Sequence, residues 1–256
     1  MIKNTMREKI LKGDIVTGAF SGLGSSAIVE SMGLAGLDFV IIDTEHGPAD
    51  VESTLPLILA AENRNITPIV RVKDPSRSSV LKMLDIGAMG LLVPFVKSVD
   101  EVKRVIEYGK YPPVGQRGFG PGRISGFGAL PGFSGPADYF ETCNRETMII
   151  PQCETVEAVE CIEDIAELGG VAGIFVGPYD LSVALGIPLQ FDDPKFISAV
   201  ERTVKAFRKA GKFCLTIATM GAMARDNFIK GFYGSAFYDI SLLLETFSAF
   251  AKEAKK

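Results

Sequence analysis

Eight short apolar segments, separated by stretches with helical patterning, constrain this chain more than any other feature. They are rich in β-branched and aromatic residues and span 14–20, 39–43, 68–72, 90–96, 148–152, 172–177, 213–218 and 232–237. Alternating strands and helices require a parallel sheet with right-handed crossovers. Eight such repeats in 256 residues are the usual size of a closed (β/α)8 barrel. The sequence therefore predicts a single-domain TIM barrel over residues 1–256, with an open doubly wound sheet as the alternative.

The connections between these segments carry recognisable start signals. Asp74-Pro75 and Asp193-Pro194 each combine a helix cap with a proline in the first turn. Ser98 followed by Glu101 has the spacing of a capping box. The Gly- and Pro-rich stretch 111–136 is too long for an ordinary connection, which predicts a functional or disordered loop.

Composition excludes several classes of function. The formal net charge is -4, from 27 Lys and Arg against 31 Asp and Glu, which disfavours a nucleic-acid partner. The single histidine excludes sites built on several imidazoles, such as most catalytic zinc centres. The four cysteines match no zinc spacing and are too sparse for a disulfide scaffold. Without a secretory signal or an apolar run of ~18 residues, the chain is expected to be cytoplasmic, with no membrane partner.

Polar residues collect where the predicted strands end. The second segment ends in Asp43-Thr44-Glu45-His46, the third in Arg71, the fifth in Gln152 and Glu154, and the sixth in Tyr179-Asp180. The carboxyl ends of all strands meet at one rim of a barrel, so these side chains should converge on one pocket. Two acids at neighbouring strand ends suggest an oxygen-ligated divalent cation with positions open for water or substrate.

Each of these residues also has a purely structural interpretation. His46, beside a Gly-Pro turn, could be a satisfied structural side chain. Arg71 could neutralise a nearby carboxylate, and Glu154 and Asp180 could cap the helices that follow them. It is the combination of these residues that favours a functional site.

Over the same stretches the chain resembles the divalent-metal-dependent (class II) pyruvate aldolases of the 4-hydroxy-2-oxoheptanedioate and 2-dehydro-3-deoxyglucarate aldolase family. The matching stretches run in order over nearly the whole chain: 39–46, 68–72, 81–85, 91–94, 111–118, 152–154 and 177–182. Three positions depart from the pattern of that family. Cys153 and Tyr179 stand where it usually has Ile and Ala, and 237–239 replace a Gly-x-Asp ending. Strand alternation should point Cys153 away from the pocket, whereas Tyr179 would narrow it.

The resemblance implies reversible retro-aldol cleavage of a 4-hydroxy-2-oxo acid to pyruvate and an aldehyde through a metal-stabilised enolate. The substrate would be a 2-dehydro-3-deoxy sugar acid or a 4-hydroxy-2-oxo diacid. Glu154 and Asp180 would hold Mg²⁺ or Mn²⁺, with Co²⁺ as a further option. Gln152, together with the backbone of Tyr179 and Asp180, would bind the 2-oxo acid.

The resemblance also implies three catalytic residues. Arg71 would take the charge that develops on the enolate, and His46 would be the general base that removes the C4 hydroxyl proton. Asp85 would support the basicity of His46. Its helix should bring Asp85 to the N-terminal face of its own barrel, so we expect it to serve a neighbouring subunit. The resemblance implies a homohexamer, built as a trimer of dimers. Arg117 and Arg123 either join that contact or belong to a solvated loop.

Three alternatives remain at the sequence level. A Schiff-base aldolase needs a lysine inside a strand, but Lys73, Lys97 and Lys212 lie at strand ends or beginnings. A metal-dependent lyase of the citrate-lyase-like or phosphoenolpyruvate-type barrels shares the acid pair and the arginine. The third alternative is a non-catalytic barrel that binds an oxo acid or serves as an assembly unit, and the retention of all the candidate residues argues against it. The sequence identifies neither the aldehyde nor the metal.

Overall fold

The computed structural model describes residues 3–129 and 135–255 and confirms the predicted (β/α)8 barrel. Eight parallel strands pair in chain order, and β1 also pairs with β8, so the sheet is closed and the open-sheet alternative is wrong. The strands are β1 (Val16–Ser21), β2 (Phe39–Asp43), β3 (Thr67–Arg71), β4 (Gly90–Val93), β5 (Met148–Cys153), β6 (Gly173–Val176), β7 (Phe213–Ile217) and β8 (Gly234–Tyr238).

Helices alternate with these strands around the outside of the barrel. They are α1 (Thr5–Leu11), α2 (Ser26–Leu34), α3 (Val51–Asn63), α4 (Arg77–Ile86), α5 (Val99–Gly109), α6 (Pro136–Glu146), α7 (Val156–Glu160), α8 (Ile162–Glu167), α9 (Pro178–Ala184), α10 (Pro194–Lys209), α11 (Gly221–Ile229) and α12 (Asp239–Glu253). The predicted loop 111–136 contains a 3-10 helix, Arg123–Gly128, and its residues 130–134 lie outside the described ranges. Among the helices described, none is long and apolar enough to cross a membrane.

Successive residues of each strand face two different cores. Phe39 and Ile41 of β2 pack inside the barrel, whereas Val40 and Ile42 pack between the strands and the helices. The same alternation places the last residue of β2, Asp43, on the inner side. Cys153 belongs to the outer core, where its Sγ lies 3.5 Å from Thr203 Oγ1, which confirms that it points away from the pocket.

Capping side chains confirm two of the three predicted helix starts. Ser98 and Asp193 accept hydrogen bonds from backbone N–H groups in the first turns of α5 and α10, at 3.3 and 2.8 Å. The start predicted at Asp74-Pro75 is wrong by two residues. Ser76 is the cap of α4, because Asp74 instead accepts a hydrogen bond from the Ser76 N–H (2.9 Å) and forms a turn before the helix.

Gly18→Ala should destabilise the barrel, because β1 and β2 approach each other closely at this position. A Cβ atom on Gly18 would lie 2.4 Å from the Phe39 ring and 2.6 Å from the Phe39 carbonyl oxygen. Overpacking of this kind costs about 1–3 kcal/mol. Thermal unfolding should therefore show a lower Tm, whereas the control Gly221→Ala, with no atom within 4 Å of its Cβ, should unfold like the wild type. Equal Tm values for both variants would contradict this packing.

Candidate active site

Arg71 lies at the end of β3, on the inner side of the barrel, and is 2% exposed. Its Nε and Nη2 donate to the two carboxylate oxygens of Asp43, at 2.9 and 2.6 Å. Nη1 lies 3.3 Å from Glu45 Oε2, and the guanidinium carbon is 5.0 Å from the centre of the Phe20 ring. The structural interpretation of Arg71 as the partner of a nearby carboxylate is therefore confirmed.

The two acids beside Arg71 respond to it differently. Burial by itself would raise the pKa of Asp43, but the paired hydrogen bonds and charge of Arg71 outweigh burial, and the pKa lies below its usual value. Burial raises the pKa of Glu45 above its usual value, because the attraction of Arg71 only partly offsets it. Asp43 is therefore the paired counter-ion of Arg71, whereas Glu45 makes only a single contact with this arginine, at 3.3 Å.

His46 follows Glu45 in the loop after β2, and its side chain is 69% exposed. Its Nε2 is 3.9 Å from Glu45 Oε2, which is the nearest carboxylate described. The backbone N–H of His46 donates to Asp43 Oδ1 (3.3 Å), so the loop is tied to the acid that holds Arg71. The only imidazole of the chain thus lies at the open mouth of the barrel, where a substrate would enter.

Glu154 lies just beyond β5 and is 3% exposed. One carboxylate oxygen accepts the backbone N–H of Phe95 (2.6 Å), and the other accepts a hydrogen bond from the amide of Gln152. Burial, reinforced by the negative charges of Asp180 and Glu45, raises the pKa of Glu154 to about 7. The capping interpretation is wrong for Glu154, because the next residue, Thr155, caps α7.

Asp180 lies in the first turn of α9, and its side chain is exposed. The N-cap position of that helix is occupied by Gly177, and Asp180 lies inside the first turn, so the capping interpretation of Asp180 is wrong. Gly177 also permits a close approach, since a Cβ there would lie 2.8 Å from both Gln152 Nε2 and Glu154 Oε2. Tyr179, 39% exposed, packs edge-on against Phe191 with ring centres 5.7 Å apart.

An aromatic pair that the sequence analysis missed completes the inner face of the site. The rings of Phe20 and Tyr238 stack with centres 4.6 Å apart at 19°. Burial raises the pKa of the Tyr238 hydroxyl, although Arg71 opposes this. The predicted last strand stopped at Phe237, one residue short. Continuing the inward alternation of Gly234 and Ala236 would have identified Tyr238.

Asp85, near the end of α4, contacts a residue other than His46. Its Oδ1 accepts a 2.7 Å hydrogen bond from Arg117 Nη2, and its side chain is 44% exposed. Arg117 is buried and lies over the Tyr111 ring at 4.8 Å, and Arg123 pairs with Glu62. The solvated-loop interpretation of Arg117 and Arg123 is therefore wrong, because both guanidinium groups hold this loop against the barrel.

The donor set at the mouth suits a hard cation. Over residues 3–129 and 135–255, no group of three or more His, Cys, Asp and Glu side chains is placed to hold a metal ion, so Glu154 and Asp180 could supply two ligands at most. The buried Gln152 Oε1 has no hydrogen-bond partner in that part of the chain. Asp43, Glu45, Glu154 and Asp180 surround one arginine. A divalent cation with open positions would offset this excess of negative charge.

A family model described as HpcH/HpaI aldolase/citrate lyase matches residues 17–237, from the first strand of the barrel to the last. This chain belongs to the HpcH/HpaI family. The membership confirms the predicted resemblance. It also makes the protein a carbon–carbon lyase of the aldolase type, which is the activity that the resemblance implied.

Individual relatives of this HpcH/HpaI protein carry aldolase names. A hydroxypyruvate/pyruvate aldolase of Roseobacter denitrificans is 31% identical over 99% of this chain and 98% of its own. A 5-keto-4-deoxy-D-glucarate aldolase of Salmonella paratyphi C is 34% identical over 87% of this chain and 85% of its own. The crystal structure of the citrate synthase SbnG is 30% identical, with a TM-score of 0.89 over 99% and 98% of the two chains. The aldolase relatives confirm the predicted retro-aldol chemistry.

Proposed function

We propose that this aldolase cleaves a 4-hydroxy-2-oxo acid to pyruvate and an aldehyde at the carboxyl end of the barrel. The observation that carries the proposal is the buried Glu154 carboxylate, held by Gln152 and the Phe95 N–H beside Asp180, in the same mouth as Arg71. The aldolase names of two relatives support the same reaction class. The substrate is a 2-dehydro-3-deoxy sugar acid or a 4-hydroxy-2-oxo diacid.

Glu154 and Asp180 hold a divalent cation, Mg²⁺ or Mn²⁺, with Co²⁺ as a third candidate. Carboxylate oxygens are the donors that these ions prefer, and two of them leave positions for substrate and water. When bound, the cation supplies Lewis acidity at the 2-oxo group of the substrate. The Phe95 N–H fixes one oxygen of Glu154, which orients the carboxylate before any cation arrives.

The 2-oxo acid is oriented by Gln152, Tyr179 and Asp180. Backbone N–H groups in the first turn of a helix have no acceptor within that helix, so those of Tyr179 and Asp180 are free for a substrate carboxylate. The Tyr179 ring stands at the rim and narrows the space for the departing aldehyde. Gln152 keeps the cation ligand Glu154 in place through its amide.

Arg71 stabilises the developing negative charge, and His46 removes a proton from the substrate. Arg71 is buried and held by Asp43, so its permanent charge is already placed to stabilise the oxyanion that forms at C2. His46, exposed at the mouth, removes the C4 hydroxyl proton directly or through a water molecule. Breaking the C3–C4 bond then releases the aldehyde and leaves its electron pair in the pyruvate enolate.

Asp85 serves His46 of a neighbouring subunit in a homo-oligomer, which we propose is a hexamer. The half-exposed Asp85 carboxylate is anchored by the buried Arg117, which leaves one of its faces open to another chain. Within its own chain, none of its described contacts involves His46.

Pyruvate release from a panel of 4-hydroxy-2-oxo acids tests the function. Activity should disappear with EDTA and return when Mg²⁺ or Mn²⁺ is added, because the cation supplies the Lewis acid. Activity that survives EDTA and is blocked by borohydride trapping with pyruvate would instead indicate a lysine Schiff base. If no panel member releases pyruvate, the cleavage proposal fails and bond-forming chemistry, as in the related citrate synthase, gains support.

A further inference from the structure

A second cavity lies at the opposite end of the barrel from the active site. Its volume is about 430 Å³. Its lining comes from α1, the C-terminal ends of α5 and α6, and residues at the beginnings of β5, β6, β7 and β8. The candidate active-site residues lie at the opposite, carboxyl-terminal ends of the barrel strands. A cavity of this volume falls within the range of small-molecule sites.

The charged side chains that line the cavity are all basic. Four basic side chains contribute to it, and no aspartate or glutamate of the described chain is among the lining residues. The basic residues are Arg7, Lys110, Arg145 and Lys212. This contrasts with the active-site mouth, where four carboxylates surround one arginine.

Lys110 is the most constrained of these cations and is 4% exposed. Its ammonium donates to the backbone carbonyls of Asn144 and Thr147, at 2.7 and 2.5 Å. Lys212 is held in the same way by the carbonyl of Leu168, at 2.6 Å. These hydrogen bonds to carbonyls hold the two ammonium groups in fixed positions. Preorganised groups of this kind are typical of a binding site, whereas a surface lysine is mobile.

Three of these four cations have no carboxylate partner among the described residues. Over residues 3–129 and 135–255, no carboxylate pairs with Arg7, Lys110 or Lys212, and only Arg145 has one, Glu146 at 2.9 Å. Burial, and the charges of Arg7 and Arg117, lower the pKa of Lys110 to about 7. Like charges gathered in a partly desolvated cavity repel one another, and a bound anion would remove that repulsion.

We propose that this cavity binds a small dianion, either a phosphate-bearing or a dicarboxylate molecule, through Arg7, Lys110 and Lys212. The guanidinium of Arg7 can donate two parallel hydrogen bonds to one phosphate or carboxylate group. The two lysines, held in place by backbone carbonyls, add positive charge to the same cavity. The aldolase reaction uses none of these residues, so the ligand would differ from the substrate and could bind at the same time.

Titration with inorganic phosphate and with malonate, followed by calorimetry, tests the proposal on the full-length protein. Arg7→Gln removes one charge from the cavity, and loss of a charge-assisted hydrogen bond should raise the Kd by about tenfold or more. Lys12→Gln is the matched control. Lys12 directly follows α1, pairs with the partly exposed Glu8 and does not line the cavity, so this variant removes the same charge nearby and should bind like the wild type.

Each outcome decides for or against the proposal. Weaker binding in Arg7→Gln alone supports it, and the anion that binds more tightly identifies the ligand as phosphate-bearing or dicarboxylate. Equal weakening in both variants would show general charge attraction and overturn the site. Equal affinity in all three proteins, or no heat with either anion at millimolar concentration, would also overturn it. Thermal unfolding without anion verifies that both variants are folded.

Discussion

Arg71→Ala should lower kcat for pyruvate release by about a hundredfold to a thousandfold, the loss that follows removal of one preorganised donor to an oxyanion. The arginine is buried and already held by Asp43, so it needs no rearrangement when negative charge develops at C2. Because that charge exists mainly in the transition state, kcat should fall much more than KM rises. Steady-state kinetics with a 4-hydroxy-2-oxo acid provide the measurement.

Two controls separate catalysis from folding. Removing Arg71 leaves the buried Asp43 without its partner, so some loss of stability is expected and must be measured by thermal unfolding. Arg71→Lys keeps the charge but loses the paired hydrogen bonds, and its kcat should lie between those of the wild type and Arg71→Ala. A folded Arg71→Ala variant with unchanged kcat would remove the arginine from the mechanism.

Glu154→Gln should abolish metal-dependent turnover and weaken Mn²⁺ binding by at least about a hundredfold, because a neutral amide is a poor ligand for a hard cation. The amide oxygen can still accept the Phe95 N–H, so the local structure should survive. Glu160→Gln, an exposed residue on α7, is the matched control and should bind Mn²⁺ normally. Retained metal activation in Glu154→Gln would show that another group holds the cation.

Glu154→Gln should stabilise the metal-free protein, although it abolishes metal-dependent turnover. A carboxyl whose pKa rises from its ordinary value to about 7 on folding stabilises the fold at low pH, and that stability is lost as pH rises through 7. At pH 8, metal-free Glu154→Gln should therefore be more stable than the metal-free wild type, by up to about 3 kcal/mol. For the wild type, Mn²⁺ should raise Tm more at pH 8 than at pH 5.5, because at pH 8 the cation displaces no proton from Glu154.

Strand periodicity was sufficient to predict the barrel and the inward position of Arg71 and Gln152. Alternation fixes which side a residue faces, and closure places all strand ends at one rim. Periodicity does not describe loops, however. Phe95 adopts a left-handed backbone conformation (φ 54°) just after β4, in the turn where its N–H donates to Glu154. No apolar pattern encodes such a turn.

Side-chain pairing was the second feature that could not be predicted from the sequence. Glu45 was included in the run at the end of β2 but was given no role, although it lies 3.3 Å from Arg71 and 3.9 Å from His46. The contact of Asp85 with Arg117 joins residues 32 positions apart through a loop whose path is not periodic. Distances of this kind depend on the conformations of long side chains. The spacing of residues along the chain does not specify those conformations.

The packed interior of the barrel separates two chemical environments. Phe20 and Phe175, edge to face at 5.8 Å, belong to the apolar filling between the acidic mouth and the basic cavity. No solute can diffuse through such a filling, so a ligand bound at one end can affect the other only through the protein, by its charge or by movement of packed elements. One direct link is β5, which begins next to Thr147 and leads to Glu154, a span of roughly 23 Å at about 3.3 Å per residue. A shift of that strand along its axis would move the base of one site and the metal ligand of the other together.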